Sequence, residues 1–217
     1  MRSLRVITTL LLAIALLVTP ASIDARPSVL AAVKPITLNG RNGCTATSIN
    51  QQLHLWLTAA HCVIDFETGE PHGELAIMGD VFSVVELDVD HDIAIVKTPN
   101  VSAPALKLAK EGPRVCLGVD DKMCKVQMTG HPFGMPYALT VQGTVAYLGF
   151  KFPDYDQLFT VFNMVAAPGN SGSAVLNYRL EIVAVLQIVV IPNGRGWTVM
   201  SGGSEFEDLA RYRRYFE

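Results

Sequence analysis

A serine between two glycines is the residue with the clearest chemical potential in this sequence. Ser171 lies in the stretch PGNSGSAV at residues 168–175, before the apolar run from Ile182 to Ile191. Glycines on both sides allow a tight turn whose backbone N–H groups can converge on one point, as an oxyanion hole requires. The motif therefore indicates a nucleophilic serine, although the same letters could form a plain turn between strands.

Two other stretches offer the partners that such a serine needs. A serine hydroxyl attacks a carbonyl when an imidazole accepts its proton and a carboxylate holds that imidazole in the right tautomer. Residues 57–62 read LTAAHC and residues 91–97 read HDIAIVK, which supply His61 and Asp92 for these two roles. The chain therefore contains the three members of a catalytic triad in the order histidine, aspartate, serine.

The carboxylate has two rivals nearby. Asp88 and Asp90 alternate with Asp92 along the chain and could share its face. Only Asp92 directly enters the apolar run 93–96, so it alone could be buried beneath an imidazole while the others stay in water. We therefore predict Asp92 as the triad member, with its two neighbours as alternatives.

The three motifs resemble those of chymotrypsin-like serine proteases, which have the same residue order. TAAHC at 58–62 resembles the histidine motif, DIAIV at 92–96 the buried strand of the aspartate, and GNSGS at 169–173 the nucleophile loop. The remaining histidines lack the TAAHC context, so we expect them at the surface or behind the site: His54, His72, His91 and His131.

This resemblance implies a role for each residue. Ser171 is the expected nucleophile, His61 the general base and then acid, and Asp92 the orienting carboxylate. The backbone N–H groups of Gly169 and Ser171 are the expected oxyanion hole. No cofactor or metal is expected in this reaction.

A second set of motifs narrows the resemblance to the HtrA branch. GHPFG at 130–134, LTVQGTV at 139–145 and VAAPGNSG at 165–172 are similar to HtrA segments, and the likeness covers most of residues 40–212. Ser173 departs from the usual glycine and resembles the glutamyl endopeptidases. Because the chain stops soon after, the expected relative is an HtrA-like protease without the PDZ domain that many HtrA proteins carry.

The resemblance also places the substrate pocket. Its floor is set largely by the residue six before the nucleophile, here Val165, where a tryptic enzyme has aspartate. A buried charge would be unpaired in this apolar pocket, so we expect cleavage after small aliphatic residues. The opposite wall comes from the strand after the nucleophile: Leu186, Gln187, Ile188 and Val189, the last where many relatives have glycine.

Short apolar runs separated by Gly, Pro, Asn and Asp must position these residues. Such runs without a helical period are typical of an all-β barrel or sandwich. With the resemblance, the predicted fold is two six-stranded antiparallel β-barrels, over residues 26–100 and 105–217, divided by the proline-bounded stretch 99–104. The expected strands are 44–49, 53–58, 75–78, 81–87, 93–97, 114–117, 125–129, 138–148, 157–165, 173–176, 182–191 and 197–201.

The last segment predicts a C-terminal helix. Residues 204–207 resemble a capping box, and Phe206, Leu209, Ala210 and Phe216 recur at roughly helical spacing.

The beginning of the chain resembles a secretory signal peptide. Arg2 and Arg5 precede the apolar run 6–18, and Ala21 and Ala25 offer small-residue cleavage points, which predicts a signal over residues 1–25. An uncleaved anchor is the alternative, but the apolar run is short for a membrane span. The expected location is secreted or periplasmic, with no stable membrane insertion after cleavage.

The four cysteines fit an oxidising compartment, where three pairings are possible. Cys44 and Cys62 are placed like cysteines that are bridged beside the active site in chymotrypsin-like enzymes. Cys116 and Cys124 enclose a short loop, so we pair them with each other. Free thiols or a metal site are the alternatives, but no spacing resembles a zinc site.

Composition bounds the function further. The chain has 217 residues, half of them apolar, and a formal charge of -3, which describes one globular unit with no basic face for nucleic acid. The prediction is a secreted serine endopeptidase for polypeptides, unfolded protein among them, with oligomerisation left open. The alternative is a pseudoprotease that keeps the fold as a binding or structural module.

Overall fold

Two antiparallel sheets make up most of the computed structural model, which describes residues 29–118, 121–153, 155–190 and 200–217. A short helix, α1 (Val29–Ala32), leads into the first sheet. This sheet has the strand order β5-β4-β1-β2-β3-β7-β6. Its strands are β1 (Val33–Leu38), β2 (Arg41–Asn50), β3 (Leu55–Thr58), β4 (Leu75–Ile77), β5 (Asp80–Val81), β6 (Ser83–Asp88) and β7 (Ile93–Lys97).

The second sheet is a closed six-stranded barrel with the order β10-β13-β12-β11-β8-β9. Closure leaves this half without an unpaired edge strand. Its strands are β8 (Lys125–Gly130), β9 (Leu139–Phe150), β10 (Phe159–Asn163), β11 (Ala174–Asn177), β12 (Ile182–Val190) and β13 (Met200–Ser204).

The predicted all-β, chymotrypsin-like architecture is confirmed, with one difference in the first half. That half is a seven-stranded sheet rather than a closed six-stranded barrel, because the predicted strand 81–87 divides at Phe82 into β5 and β6. These consecutive strands lie at opposite ends of the strand order with only Phe82 between them, so the sheet curls until its two edges come close together.

Two other parts of the fold differ from the expectations. The sequence analysis missed β1, whose Pro35 counts against a strand; Pro35 lies outside the segment that pairs with β4, which is Ile36 to Leu38. Residues 114–117 form no strand, since they enter the small loop that the Cys116–Cys124 disulfide closes. Of the strands predicted over 182–191 and 197–201, residues 191 and 197–199 are not among those described.

The connection between the sheets is bonded to both of them. The backbone N–H of Leu106 donates to the carbonyl of Ser48 in β2 at 2.9 Å, and the N–H of Ile182 in β12 donates to the carbonyl of Lys107 at 2.8 Å. A continuous apolar core that includes Trp56, Leu57 and Val185 spans the two halves. The two sheets are therefore held in a fixed relation, which sets the width of the cleft between them.

The C-terminal helix is shorter than predicted and has a different cap. It is α2 (Phe206–Ala210), and its N-cap is Glu205 with no side-chain cap bond. The expected capping box fails because Ser204 belongs to β13, where its hydroxyl accepts from the N–H of Val185 at 3.1 Å. Beyond α2, the chain reaches the first sheet, where Arg214 pairs with Glu86 at 3.0 Å.

Within the described ranges, no helix has both the length and the apolar character needed to cross a membrane. The predicted signal peptide over residues 1–25 falls before the first of these ranges.

Candidate active site

His61 is presented by a short 3-10 turn, Ala60–Cys62, that directly follows β3. Ala59 and Ala60 are fully buried, so the small side chains let the turn pack closely onto the first sheet. A disulfide of 2.02 Å joins Cys62 to Cys44 on β2, which confirms the predicted pairing. The turn is thus fixed on both sides of the imidazole.

Asp92 holds His61 through both carboxylate oxygens. Oδ2 lies 2.7 Å from His61 Nδ1, and Oδ1 accepts the backbone N–H of His61 at 2.8 Å. The Asp92 carboxylate is buried, with only 5% of the residue exposed. An ionised carboxylate can only accept, so Nδ1 carries the proton and Nε2 is free to accept another.

The backbone of Asp92 is itself held in an uncommon conformation. Its φ is +50°, in the left-handed region that aspartate tolerates better than most residues. The side-chain amide of Gln187 donates to the carbonyls of His91 at 2.6 Å and of Asp92 at 3.0 Å. A residue of β12 therefore fastens the aspartate turn of the first sheet to the second barrel.

The two rival aspartates have other environments. Asp88 accepts hydrogen bonds from Tyr212 and from His91, the latter at 2.8 Å. Burial alone would raise the pKa of the Asp88 carboxyl, but these hydrogen bonds lower it below its ordinary value. Asp90 is exposed to solvent. Of the three aspartates, Asp92 is the one that contacts His61.

Ser171 lies in a loop whose carbonyls bond to neighbouring segments at two points. The Pro168 carbonyl accepts from Phe133 N–H at 2.6 Å, and the Ser171 carbonyl accepts from Thr45 N–H at 2.9 Å. Among the described residues, neither Gly169 N–H nor Ser171 N–H has a hydrogen-bond acceptor. These two N–H groups are the donors that an oxyanion hole would use.

Two glycines allow the loop to pack this closely. Gly169 and Gly172 have φ of +96° and +83°, which a residue with a Cβ rarely adopts. A Cβ on Gly169 would overlap the carbonyl of His131, and one on Gly172 would overlap the Thr58 hydroxyl. The glycine bracket seen in the sequence is thus a steric requirement of this loop.

His61, Gly169 and Ser171 line one cleft of about 310 Å³. Within the described residues, no hydrogen bond joins the imidazole to the serine hydroxyl, an arrangement often found before substrate binds. Apolar side chains and the disulfide form the remaining wall, with one more histidine beside them: Ile36, Leu38, Cys44, Cys62, His72 and Leu75.

The residues predicted to bind substrate have different environments. Val165 is 49% exposed, whereas Leu186 is only 1% exposed and packs in the core. Ile188 lies over Gly202, where a Cβ would be 2.7 Å from Ile188 Cγ1. Gln187 uses its amide on the aspartate turn, and Val189 is partly buried.

The second disulfide joins Cys116 to Cys124, as predicted. It lies far along the chain from the triad candidates and closes a loop before β8. Cys44, Cys62 and His61 are also close enough to resemble a metal-ligand group. Because both of those cysteines are oxidised in a disulfide, their sulfurs are not thiolates that could bind a metal.

Sequence reasoning missed two residues that support the nucleophile loop. Thr45 and Thr58 are fully buried, and the Thr58 hydroxyl donates to the Thr45 carbonyl at 2.9 Å. A threonine directly after Cys44 was the available signal for the first. Phe133 and His131 fall in the GHPFG motif, which indicated a family rather than a contact.

Comparison with known proteins places this arrangement in a family. A trypsin-like peptidase domain matches residues 44–185, which include all three triad candidates. A search of curated proteins finds no match.

Several solved structures share the fold. The active form of the Rv3671c protease from M. tuberculosis aligns with a TM-score of 0.66 at 16% identity, over 87% of this chain and 82% of that one. The HtrA-type protease AlgW with a tripeptide aligns with a TM-score of 0.65 at 18% identity, over 87% of this chain and 61% of AlgW. These structures therefore share the fold of this chain.

Proposed function

The chain belongs to the trypsin-like peptidase domain family and is a serine endopeptidase, and from that premise we propose that Ser171, His61 and Asp92 carry out the hydrolysis. The observation that carries this proposal is the two-oxygen contact of Asp92 with His61, at 2.7 and 2.8 Å. It fixes the imidazole tautomer that can accept a proton from serine.

The proposed reaction has two halves. The Ser171 hydroxyl attacks the substrate carbonyl while His61 Nε2 accepts its proton, and the negative oxygen of the tetrahedral intermediate binds to the N–H groups of Gly169 and Ser171. The peptide C–N bond then breaks, and His61 returns the proton to the leaving amine. Water, activated in turn by His61, hydrolyses the acyl-enzyme ester and restores the serine.

We propose that the substrates are polypeptides cleaved after small aliphatic residues. Val165 supports this because it offers an exposed apolar surface where a tryptic enzyme would have a carboxylate. Ile188 supports it as a second apolar side chain, which is only partly buried and lies over Gly202. Charged substrate side chains would gain no partner from Val165, Ile188 or Val189.

We also propose that residues 1–25 are an export signal for a single protease domain over residues 26–217. The location would be secreted or periplasmic. Two disulfides support an oxidising compartment, since such bonds are rare in the reducing cytosol.

The proposal is tested by incubating the purified protein with an unfolded casein and mapping the cut sites by mass spectrometry. Casein should be cleaved, with Val, Ala or Leu before most cuts, and Ser171→Ala should cleave none. A dominant preference for Arg, Lys, Asp or Glu would refute the pocket assignment alone. Intact casein with the wild-type protein would refute the activity and favour a binding module.

A further inference from the structure

Thr45 is a fully buried residue of the first sheet that bonds to the nucleophile loop of the second barrel twice and to the residue after β8 once. Its backbone N–H donates to the carbonyl of Ser171 at 2.9 Å. Its hydroxyl donates to the carbonyl of Gly169 at 2.8 Å and accepts the backbone N–H of His131 at 3.0 Å. The two hydroxyl bonds join Thr45 to His131, which lies 86 positions later in the sequence, and to Gly169, which lies 124 positions later.

The direction of the Thr45 hydroxyl is determined by its partners. A backbone N–H can only donate and a carbonyl oxygen can only accept, so the single hydroxyl proton must point at Gly169. Both of these backbone groups are buried with the threonine, and neither would readily find water in its place. The hydroxyl therefore bridges the end of β8 and the nucleophile loop, accepting a hydrogen bond from the first and donating one to the second.

This bridge fixes one of the two peptide planes around Gly169. The plane before Gly169 is held by the bond from Phe133 N–H to the Pro168 carbonyl at 2.6 Å. The plane after it is held by the Thr45 hydroxyl at 2.8 Å. In a trans peptide the N–H points opposite to the C=O, so an inward Pro168 carbonyl turns the Gly169 N–H outward.

Gly169 needs such restraints because a glycine resists rotation less than any other residue. With both neighbouring planes held, its φ of +96° is maintained and its N–H keeps one direction. The Gly169 N–H lies in the plane that the Phe133 bond holds, and the Thr45 bond is the second restraint on the same residue. If the following plane is released, Gly169 is held on one side only, and a single hydrogen bond must keep its N–H at the position of the oxyanion. Donors aimed before the reaction begins are what makes an oxyanion hole effective.

We propose that Thr45 is a positioning residue for catalysis, whose hydroxyl restrains Gly169 from its carbonyl side and so helps to hold the Gly169 N–H at the oxyanion of the transition state. This inference rests on the proposed function, since it needs a working nucleophile at Ser171. It predicts that loss of the hydroxyl lowers kcat and leaves KM nearly unchanged, because the transition state carries the charge and the bound substrate does not.

The test compares Thr45→Val, which keeps the side-chain shape, with Thr45→Ser, which keeps the hydroxyl. Removal of a whole oxyanion donor lowers kcat about 10²- to 10³-fold, so a misdirected one should lower it about 10-fold or more. We expect Thr45→Val to lose about 10-fold in kcat with less than about 2-fold change in KM. Thr45→Ser should retain most of the wild-type kcat.

Thr47→Val is the matched control. Thr47 is a fully buried threonine two residues along β2, and its hydroxyl accepts the N–H of Ala174 at 3.2 Å. This variant also loses a buried hydrogen bond between the two halves but leaves the Gly169 carbonyl bonded. We expect a lowered thermal unfolding temperature, by less than in Thr45→Val because one hydrogen bond is lost rather than two, with kcat close to wild type.

The outcomes separate this inference from the proposed function. An inactive wild-type protein would refute the proposed function itself. With an active wild type, an unchanged kcat in Thr45→Val, or equal losses in Thr45→Val and Thr47→Val, would overturn the positioning role. If Thr45→Val does not fold, Thr45→Ala and Thr45→Ser differ only by the hydroxyl, and equal kcat in that pair would also overturn it.

Discussion

Replacing Asp92 by Asn isolates the role of one carboxylate without disturbing its surroundings. The backbone of Asp92 has φ of +50°, a conformation that asparagine also tolerates. The amide oxygen can still accept the His61 backbone N–H, which now bonds to Oδ1 at 2.8 Å. The substitution therefore changes mainly the group that faces His61 Nδ1.

The size of the effect follows from the tautomer of His61. Asp92 Oδ2 lies 2.7 Å from Nδ1 and can only accept a proton, whereas the amide nitrogen of asparagine can only donate. Nδ1 must then become an acceptor, and the ring proton moves to Nε2, where it blocks acceptance of the serine proton. We expect kcat to fall about 10⁴-fold, as wrong-tautomer variants of such triads do.

The assay is steady-state cleavage of a peptide substrate by Asp92→Asn beside Asp90→Asn as the control. Asp90 is a solvent-exposed aspartate two residues away, so its variant has the same charge change and should stay within about 2-fold of wild type. Circular dichroism should show both variants folded. A large loss in Asp90→Asn with an active Asp92→Asn would refute the assignment of the carboxylate.

Three further predictions concern stability. Burial lowers the pKa of His131 below its ordinary value, and the charge of Lys34 lowers it further. The hydrogen bond to the Met135 carbonyl acts in the opposite direction but does not cancel this decrease. In the unfolded chain this histidine takes up a proton near pH 6.5, whereas in the folded chain it does so only at a lower pH. The contribution of neutral His131 to the free energy of unfolding is therefore fully present above about pH 6.5 and is lost as the pH falls below it. Urea unfolding at pH 7.5 and 5.0 should show this loss, and His131→Gln should reduce it. Gly172→Ala should lower the free energy of unfolding by about 1–3 kcal/mol or more, since its Cβ would overlap the Thr58 hydroxyl at a φ of +83°; a neutral result in the same urea titration would contradict the packing described. Replacing Cys44 and Cys62 by Ala should cost about 2–4 kcal/mol in unfolding free energy, and an unchanged urea midpoint would argue against a structural role for that bridge.

The sequence was most informative where a chemical role requires a short, contiguous motif. His61 needs small neighbours to pack its turn, and Ser171 needs glycines to turn its loop, so both leave a local signature. Asp92 could be separated from Asp88 and Asp90 because only it enters a buried strand. The two disulfides could be assigned as well, one from family resemblance and one from the short loop between Cys116 and Cys124.

Contacts between distant segments left no such signature. Gln187 donates to the Asp92 carbonyl across 95 positions of the chain, and its place in β12 had indicated a substrate contact instead. Thr45 bonds to Gly169, which lies 124 positions later in the chain, and no residue near Thr45 in the sequence indicates that the two are in contact. These residues are defined by which strands become neighbours, and that depends on the packing of the whole fold.

Errors in the fold have a similar origin. The strand β1 contains a proline that would disfavour it in a fully paired position, and only its position relative to β4 makes it acceptable. Residues 204–207 have the residue types of a capping box, but Ser204 is the last residue of β13, which pairs with β10 and β12 in the barrel. In both cases tertiary pairing overrides the local preference.

Reaction of the purified protein with a fluorophosphonate, followed by peptide mapping, tests the central claim most directly. Such probes bond to a serine only when an adjacent base activates it. We predict a single phosphonyl group on Ser171 in the wild-type protein, none in Ser171→Ala, and much slower labelling in Asp92→Asn. A folded wild-type protein that stays unlabelled, or a label that persists at another serine in Ser171→Ala, would contradict the account.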